Sequence, residues 1–353
     1  MIAPGVPVRK YEDKQICAFT VDVEDWFHIL DSDVVPQFAQ WPLLESRIEQ
    51  NIEKLLGLLE TFAVKGTFFW LGWVAERHKS LLRQCRNAGH EIASHGYAHL
   101  LAYKVGEKAF RHDISKAKAL LEDITGEPVV GFRAPGFGIT REATWAFDVI
   151  KEAGYQYDSS VFPASRGHGG ISDSPISPYF IETQSGHLLE VPTSTIELLG
   201  HRLSMFGGGY LRLANKRIIQ WGISRLQAAG QPLIVYIHPR EIDPYHPRLP
   251  LTLRRRFKCY VRLNSMMSKL EWLCRNYSFC TMLEMIESYV RSFYLESKTI
   301  PVINLNGIHP SIISAHELKE SSNCTSGQKI RDKLLLVERA MANFLAPGDL
   351  RSQ

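Results

Sequence analysis

Short apolar runs alternate with amphipathic stretches along most of the chain. The runs at residues 16–21 and 233–237 are apolar enough for strands buried on both faces, whereas residues 48–62 repeat apolar positions at helical spacing. Repeated βα units of this kind predict an α/β fold, a distorted (β/α) barrel of about seven parallel strands with its site at their carboxyl ends. Further strands are predicted at residues 66–71, 90–93, 129–133, 155–159 and 188–192, and further helices at 75–88, 110–124, 142–153 and 216–229.

The periodic pattern weakens after about residue 297. Residues 300–325 show no regular spacing, and residues 329–344 then predict an amphipathic helix. Within the periodic part, residues 162–178 and 206–210 are rich in loop-forming residues and predict long loops. We therefore expect an N-terminal extension at 1–14, one α/β domain at 15–297 and a C-terminal appendage of unknown role at 298–353.

The composition is that of a globular protein large enough to bury a sizeable core. Of the 353 residues, 45% are hydrophobic and 22% are charged, and 41 basic against 37 acidic residues give a formal net charge of +4. This near balance argues against a nucleic-acid partner. The densest basic run, residues 254–258, is interpreted as a solvated helix start rather than a site for phosphate or an anionic glycan.

Cysteine usage indicates a reducing compartment. The six cysteines are scattered without a Cys-x-x-Cys pair, and several lie in apolar segments, which is typical of reduced core thiols. The first residues lack a basic region followed by an apolar run, and no stretch of about 18 apolar residues occurs. We expect a cytoplasmic protein without a transmembrane segment.

Two histidines, His95 and His99, follow the predicted strand at 90–93. Imidazole is a common ligand for zinc and similar ions, and side chains four residues apart share one face if the chain turns helical. In a chain with 13 histidines, the pair alone is better explained as two polar loop residues. A metal site would need a carboxylate ligand, a base and an acid from elsewhere.

Three carboxylates, on Asp22, Glu24 and Asp25, follow the first predicted strand. Side chains two residues apart point the same way in an extended chain, which favours Asp22 as base and Glu24 as metal ligand. A turn beginning at Glu24 would instead bring in Asp25 as the ligand. A metal on one carboxylate and a cation near another would keep both ionised.

Polar residues also end the later strands. Arg133 precedes Pro135 on a stiffened loop, where it is suited to a two-point contact with Asp22. Asp158 lies in the strand at 155–159, and His238 directly follows the strand at 233–237. Because the carboxyl ends of barrel strands converge regardless of sequence distance, we expect these side chains to share one site.

Together these motifs resemble those of the NodB-like polysaccharide deacetylases, metal-dependent carbohydrate esterases that act on chitooligosaccharides and peptidoglycan. The resemblance covers roughly residues 15–290, and its second and fifth motifs are the specific ones. The five motifs lie at residues 20–25, 94–99, 131–135, 157–160 and 236–238. Residues 21–28, 207–210 and 236–243 resemble more closely the deacetylases found with exosortase-linked exopolysaccharide gene clusters.

The resemblance implies hydrolysis of N-acetyl groups on amino sugars of a polysaccharide or its oligosaccharide precursor, in exopolysaccharide biosynthesis. A divalent metal ion, with Zn²⁺ the first choice, would polarise the amide and activate water. Its ligands would be His95, His99 and either Glu24 or Asp25. Candidate substrate contacts are Trp26, Pro135, Gly136, Phe137 and Tyr210.

The resemblance also implies the acid and base roles. Asp22, oriented by Arg133, would take a proton from water, and His238 would protonate the leaving amine. Asp158 would hold the loop or the acid in place.

Two positions depart from the pattern of the family. Val23 stands where the family usually has a second aspartate, so the carboxylate ligand has to be Glu24 or Asp25. Gly136 stands where the family usually has Tyr, which alters the pocket wall but keeps the backbone N–H for an oxyanion.

Two other functions stay open. Allantoinase-like hydrolases of small cyclic amides share the fold, and a closed pocket would favour them over a polymer-binding groove. An inactive glycan-binding module would bind without turnover, although the intact set of Asp22, His95, His99 and His238 argues against it.

Overall fold

The structure, a computed structural model, describes residues 16–30, 32, 34–164, 169–295, 300–303 and 311–312. Its first strands are β1 (Cys17–Val23), β2 (Thr67–Trp70), β3 (Glu91–Ser94), β4 (Gly131–Phe132), β5 (Tyr157–Asp158), β6 (Tyr179–Thr183) and β7 (Gly186–Glu190). The later strands are β8 (Ile196–Leu198), β9 (His201–Leu203), β10 (Leu233–Ile237), β11 (Phe279–Cys280), β12 (Pro301–Ile303) and β13 (Ser311–Ile312).

Helices occupy most of the connections between the strands. They are α1 (Ile48–Thr61), α2 (Gly72–Arg77), α3 (Lys79–Asn87), α4 (Ala102–Thr125), α5 (Trp145–Glu152), α6 (Gly208–Leu213), α7 (Lys216–Ala228), α8 (Leu253–Tyr260), α9 (Met266–Asn276) and α10 (Met282–Leu295). Short 3-10 helices lie at Phe38–Leu43, Pro135–Phe137, Arg141–Ala143, Pro239–Ile242 and Leu263–Ser265. No helix in the described ranges is long and apolar enough to cross a membrane.

Seven strands run parallel in the order β10, β1, β2, β3, β4, β5 and β7. This order confirms the predicted α/β fold with its parallel sheet. β6 pairs antiparallel with β7, and β12 pairs with β6, so a piece of the predicted appendage joins the edge of the sheet. The predicted domain boundaries stay a prediction, because residues 1–15, most of 298–353 and the expected helix at 329–344 lie outside the described residues.

Side-chain alternation divides the core into an inner and an outer part. One buried cluster takes at least one residue from each parallel strand or its flank, among them Ala18, Phe69, Ala93 and Ile234, and it also contains Met282 of α10. The alternate strand residues join a larger cluster with the helices. The parallel strands therefore curve around an interior that α10 fills from their N-terminal end.

Strand pairing leaves a gap between β7 and β10 in the described part of the chain, and Ser194 spans it. The hydroxyl of Ser194 accepts a hydrogen bond from the Ile234 N–H (2.7 Å) and donates one to the Pro232 carbonyl (3.0 Å). A side chain therefore supplies here the hydrogen bonds that a strand ladder supplies elsewhere.

The structure corrects two local predictions. The helix expected at 75–88 is broken at His78 into α2 and α3. The loop expected at 206–210 instead forms a bridge between Gly207 and Tyr236 and then starts α6 at Gly208. A Cβ on Gly207 would lie 2.1 Å from the Tyr236 ring, so glycine is needed there for close packing rather than for a loop.

We expect Ser194→Ala to destabilise the domain by about 1–3 kcal/mol, because it leaves the buried Ile234 N–H without an acceptor. Urea unfolding measures this change. Ser224→Ala is the matched control, because it makes the same substitution on the exposed side of α7. It should lower the free energy of unfolding by less than about 0.5 kcal/mol. Equal effects of the two substitutions would show that Ser194 does not hold the gap.

Candidate metal and catalytic site

Strand alternation aims the polar residues of the carboxyl strand ends into the barrel. Asp22 continues the inward column of Ala18 and Thr20 along β1, and His95 lies two residues beyond the inward Ala93 of β3. His238 likewise continues the inward column of β10. These side chains therefore meet above the apolar interior.

Glu24 lies against both histidines of the pair. Its Oε1 atom is 3.1 Å from the Nε2 atom of His95 and 3.1 Å from that of His99, and all three side chains are buried. Their three ligand atoms lie within 4.8 Å of one another. Despite its 3.1 Å distance from Glu24, Nε2 of His99 makes no hydrogen bond of good geometry with any described residue, and a buried nitrogen left this way fits a metal ligand. Glu24, His95 and His99 could hold a divalent ion.

Local contacts fix the orientation of the two imidazoles. Nδ1 of His95 lies 2.8 Å from the Arg133 carbonyl, to which it donates, and this bond directs Nε2 toward Glu24. The Asp113 carboxylate accepts the N–H groups of Tyr97 (2.8 Å) and Ala98 (2.9 Å) and thereby pins the turn that leads to His99.

The charge on Glu24 is stabilised by its neighbours. Burial alone would raise its pKa, but His99, His238 and His95 hold the pKa of Glu24 well below its usual value. The carboxylate is therefore ionised, as a metal ligand must be.

Asp25, the alternative ligand, points elsewhere. Its carboxylate accepts hydrogen bonds from the Ser46 hydroxyl (2.6 Å) and from the N–H groups of Trp26 and Arg47. Burial raises the pKa of Asp25 to about 6 despite these bonds. Asp25 therefore ties the chain after β1 to the start of α1, and the turn that would have brought it to the histidines does not occur.

Arg133 and Asp22 form a buried ion pair. Nη1 of Arg133 lies 2.7 Å from Oδ1 of Asp22 and also donates to the Thr20 hydroxyl at 2.9 Å. The guanidinium is completely buried, donates to the carbonyl and hydroxyl of Ser159, and lies over the ring of Phe69 at 4.0 Å. The structure forms the expected pair, but through one nitrogen and one oxygen instead of the expected two-point contact. Oδ2 of Asp22 lies on the side of His238.

His238 faces both carboxylates. Its Nε2 atom is 3.5 Å from Oε1 of Glu24 and 3.9 Å from Oδ2 of Asp22. The His238 side chain is 17% exposed, whereas those of Asp22 and Glu24 are 2% and 6% exposed. Access to the site from solvent therefore passes His238.

Sequence reasoning missed Glu241, which holds the other side of His238. Oε2 of Glu241 lies 3.4 Å from Nδ1 of His238, and Oε1 lies 3.4 Å from Nε of the buried Arg212. Burial alone would lower the pKa of His238, but Glu24 and Glu241 raise it above its usual value. The spacing of three residues from His238 was the available signal, since it lets a side chain reach back in one helical turn.

Sequence reasoning also missed His28. Its Nδ1 atom accepts the Asp25 N–H at 2.9 Å, so Nε2 carries the proton, and that buried N–H has no acceptor in the described part of the chain. Burial first, then His99, hold the pKa of His28 well below its usual value, so the ring is neutral. It lies 5.8 Å from the ring of His99 and packs against Trp41.

Asp158, expected in the site, points away from it. Tyr157 belongs to the inner cluster, so the next side chain along β5 faces outward. Asp158 accepts a hydrogen bond from Ser160 and pairs with its register neighbour Glu190 on β7. Burial raises the pKa of Glu190 well above its usual value and that of Asp158 to about 6. Glu190 therefore keeps its proton to a higher pH than an exposed carboxyl group does, and neither group contacts His238.

The predicted substrate contacts divide into buried and exposed residues. Trp26 is in the core with its indole N–H on the Glu45 carbonyl, and Phe137 packs on Tyr236, so neither ring face is open to a sugar. Tyr210 is 50% exposed on α6.

Gly136 and Pro135 lie in the short 3-10 helix that follows Arg133. Gly136 has a φ of 63°, a left-handed conformation that favours glycine over the tyrosine usual at this position.

The profile of the polysaccharide deacetylase family matches residues 34–157, and that of a domain of unknown function, DUF3473, matches residues 159–287. The first match begins after Asp22 and Glu24, and His238 lies within the second.

Two curated proteins are similar over shorter stretches. A peptidoglycan-N-acetylglucosamine deacetylase of Bacillus cereus is 36% identical over 103 residues, which are 29% of this chain and 46% of that protein. A peptidoglycan deacetylase of Helicobacter pylori is 26% identical over 113 residues, which are 32% of this chain and 38% of that protein. The chain thus spans less than half the length of these curated relatives.

Solved structures share the fold. A Mycobacterium smegmatis protein provisionally assigned to the polysaccharide deacetylases superposes with a TM-score of 0.55 at 20% identity, over 88% of this chain and 100% of that chain. Puue allantoinase gives a TM-score of 0.53 at 17% identity, over 79% of this chain and 90% of that chain. At these identities the similarity shows the fold alone.

We expect the chain to bind a divalent ion through Glu24, His95 and His99. Glu24→Gln and His95→Ala should each weaken Zn²⁺ binding by more than roughly 100-fold, since even the loss of an outer partner of a ligand costs about 10–100-fold. Isothermal titration calorimetry measures the affinity. Asp25→Asn is the matched control and should bind Zn²⁺ with nearly the affinity of the unaltered chain. A loss of affinity as large as that of Glu24→Gln would show that Asp25 also is needed as a ligand.

We expect the free energy of unfolding of Glu190→Gln, minus that of the unaltered chain, to increase as pH rises. The pKa of Glu190 is raised in the folded state, so the folded chain holds more protons than the unfolded chain above about pH 4.5 and loses stability as pH increases. Glutamine does not titrate and escapes this loss. Urea unfolding at about pH 5 and about pH 8 measures the difference. Glu197→Gln on the exposed face of β8 is the control. The same pH slope in both variants would contradict the raised pKa of Glu190.

Proposed function

We propose that this chain hydrolyses N-acetyl groups on amino sugars of a polysaccharide or its oligosaccharide precursor in a metal-dependent reaction, since residues 34–157 match the polysaccharide deacetylase family. The convergence of Glu24, His95 and His99 beside the Asp22–Arg133 pair and His238 carries this proposal. It brings a candidate metal site, a base and an acid together at the carboxyl ends of the strands, which is what amide hydrolysis requires.

Glu24, His95 and His99 would hold the metal ion. A divalent ion, with Zn²⁺ favoured by two imidazoles and one carboxylate, supplies Lewis acidity toward the amide carbonyl and toward water. His95 is held for this role by its hydrogen bond to the Arg133 carbonyl, and the ionised state of Glu24 by the surrounding imidazoles.

Asp22 acts as the general base. Arg133 occupies Oδ1, so Oδ2 is the atom that accepts a proton from the attacking water. The fixed guanidinium holds the orientation of the carboxylate. The Gly136 N–H is suited to receive the negative oxygen that forms on the acetyl carbon.

His238 acts as the general acid. Its raised pKa keeps a proton on the imidazole, and Nε2 delivers that proton to the departing sugar nitrogen. Glu241 binds Nδ1 from the other side and so fixes the ring, which is the part that sequence reasoning gave to Asp158. Tyr210 is the exposed aromatic side chain left to contact a sugar.

The substrate class follows the names of the curated relatives, a peptidoglycan-N-acetylglucosamine deacetylase and a peptidoglycan deacetylase. The narrower assignment to exopolysaccharide biosynthesis rests on residues 21–28, 207–210 and 236–243, as does the resemblance to exosortase-linked deacetylases. The cytoplasmic location inferred from the cysteines is part of the same proposal.

We expect the Zn²⁺-loaded chain to release acetate from chitooligosaccharides or an N-acetylated exopolysaccharide. Asp22→Asn and His238→Ala should each lower kcat by about 100-fold or more, because each removes a proton-transfer group. Asp123→Asn and His112→Ala make the same changes at exposed positions and should leave kcat unchanged. Enzymatic determination of acetate measures the rate.

Three outcomes would contradict the proposal. Turnover of allantoin without acetate release would assign the site to small cyclic amides. Glycan binding without any turnover would make the chain a binding module. Full activity after removal of metal by a chelator, or in His95→Ala, would exclude the metal-dependent reaction.

A further inference from the structure

The segment from residue 244 to residue 270 has an unusual charge distribution. It contains seven Lys or Arg residues and no Asp or Glu, although the whole chain has a formal net charge of only +4. The rest of the chain therefore carries −3 (+4 less +7). Lys269 is buried and donates to backbone carbonyl groups, but the side chains of Arg248, Arg254, Arg256, Lys258 and Arg262 are exposed.

Helix α8 within this segment has an apolar face that is directed outward. Leu253 is 85% exposed and Phe257 is 57% exposed, and a spacing of four residues places them on one side of the helix. The opposite side carries Cys259, which is buried. Among the described residues, the apolar side chains of Leu253 and Phe257 are thus exposed to solvent instead of being buried in the core.

Cations border this apolar face on both sides. At 100° per residue, Arg256 lies on one side of the pair Leu253 and Phe257, while Arg254 and Lys258 lie on the other. None of these three cations has a carboxylate within 4.0 Å among the described residues. An apolar stripe flanked by unpaired cations is the pattern of a helix that lies in the interface of an anionic bilayer.

The rest of the fold holds α8 at the same end of the barrel as the site. Arg255 on the inner side of α8 donates to the Leu30 carbonyl after β1. Arg212 donates to the carbonyl groups of Lys258 (2.7 Å) and Cys259 (2.8 Å), and the same guanidinium lies beside Glu241, which holds His238. One buried side chain therefore joins the helix to the acid of the site.

We propose that the outer face of α8, formed by Leu253, Arg254, Arg256, Phe257 and Lys258, docks the protein on an anionic lipid bilayer. Charge complementarity selects the partner, since the cations match anionic headgroups and the two apolar side chains reach past them into the acyl region. A protein held in this way would meet its glycan at the membrane surface. The docking itself does not depend on the proposed deacetylation.

Co-sedimentation of the full chain with vesicles tests the proposal. The chain should bind vesicles of equimolar phosphatidylglycerol and phosphatidylcholine, should not bind phosphatidylcholine alone, and should bind less as salt increases. The double variants Leu253→Ser/Phe257→Ser and Arg254→Glu/Arg256→Glu should each lose roughly tenfold or more in partition. The charge-matched control Lys54→Glu/Lys108→Glu changes exposed residues of α1 and α4 and should bind as the unaltered chain does.

Circular dichroism and acetate release from a soluble substrate show whether each variant is folded, and neither should change. Failure of the unaltered chain to bind anionic vesicles overturns the proposal. So does equal loss in the Lys54/Lys108 control, which would reflect net charge alone. If Leu253→Ser/Phe257→Ser binds vesicles fully and the chain binds a soluble polyanion equally well, the face is a polyanion site and not a bilayer site.

Discussion

Burial of charge at the mouth of the barrel is the constraint on which the site depends. A carboxylate or guanidinium removed from water is tolerated only beside an opposite charge and with its hydrogen bonds satisfied. Arg133 meets this condition with Asp22, Thr20 and Ser159, and Glu24 meets it with three imidazoles. These partners come from separate strands, so the charges can be buried only when the strand ends are assembled in one arrangement. Because each buried charge needs all of its partners, the positions of these side chains are tightly fixed.

The period of two along a strand explains which residues could be read from the sequence. Asp22, His95 and His238 lie beyond clear apolar strands whose inward positions can be counted, and the structure brings them together as expected. Asp158 lies in a two-residue strand, where a shift of one position reverses the side on which a side chain points. The choice between Glu24 and Asp25 depended on a turn after β1, and no apolar pattern specifies such a turn.

The residues that the sequence did not reveal act through other residues. Glu241 and Arg212 form a buried chain behind His238, and their roles depend on contacts across the fold rather than on a motif. His28 lies in an aromatic stretch that predicts core packing, and it does pack against Trp41. Its N–H lacks an acceptor among the described residues, which becomes visible only when the distances to neighbouring acceptors are known. Motifs identify the groups that react, whereas three-dimensional contacts identify the groups that hold them.

Helix α10 contributes Met282, Met285 and Ile286 to the inner cluster, and the adjacent β11 pairs with β1. The first parallel strand and the filling of the barrel interior are thus separated by about 260 residues of chain. During synthesis, the strands emerge from the ribosome long before the segment that covers their inner faces, so the apolar interior stays accessible to water and to other chains until residue 286 has been released. The domain is therefore expected to need protection by chaperones during its own translation.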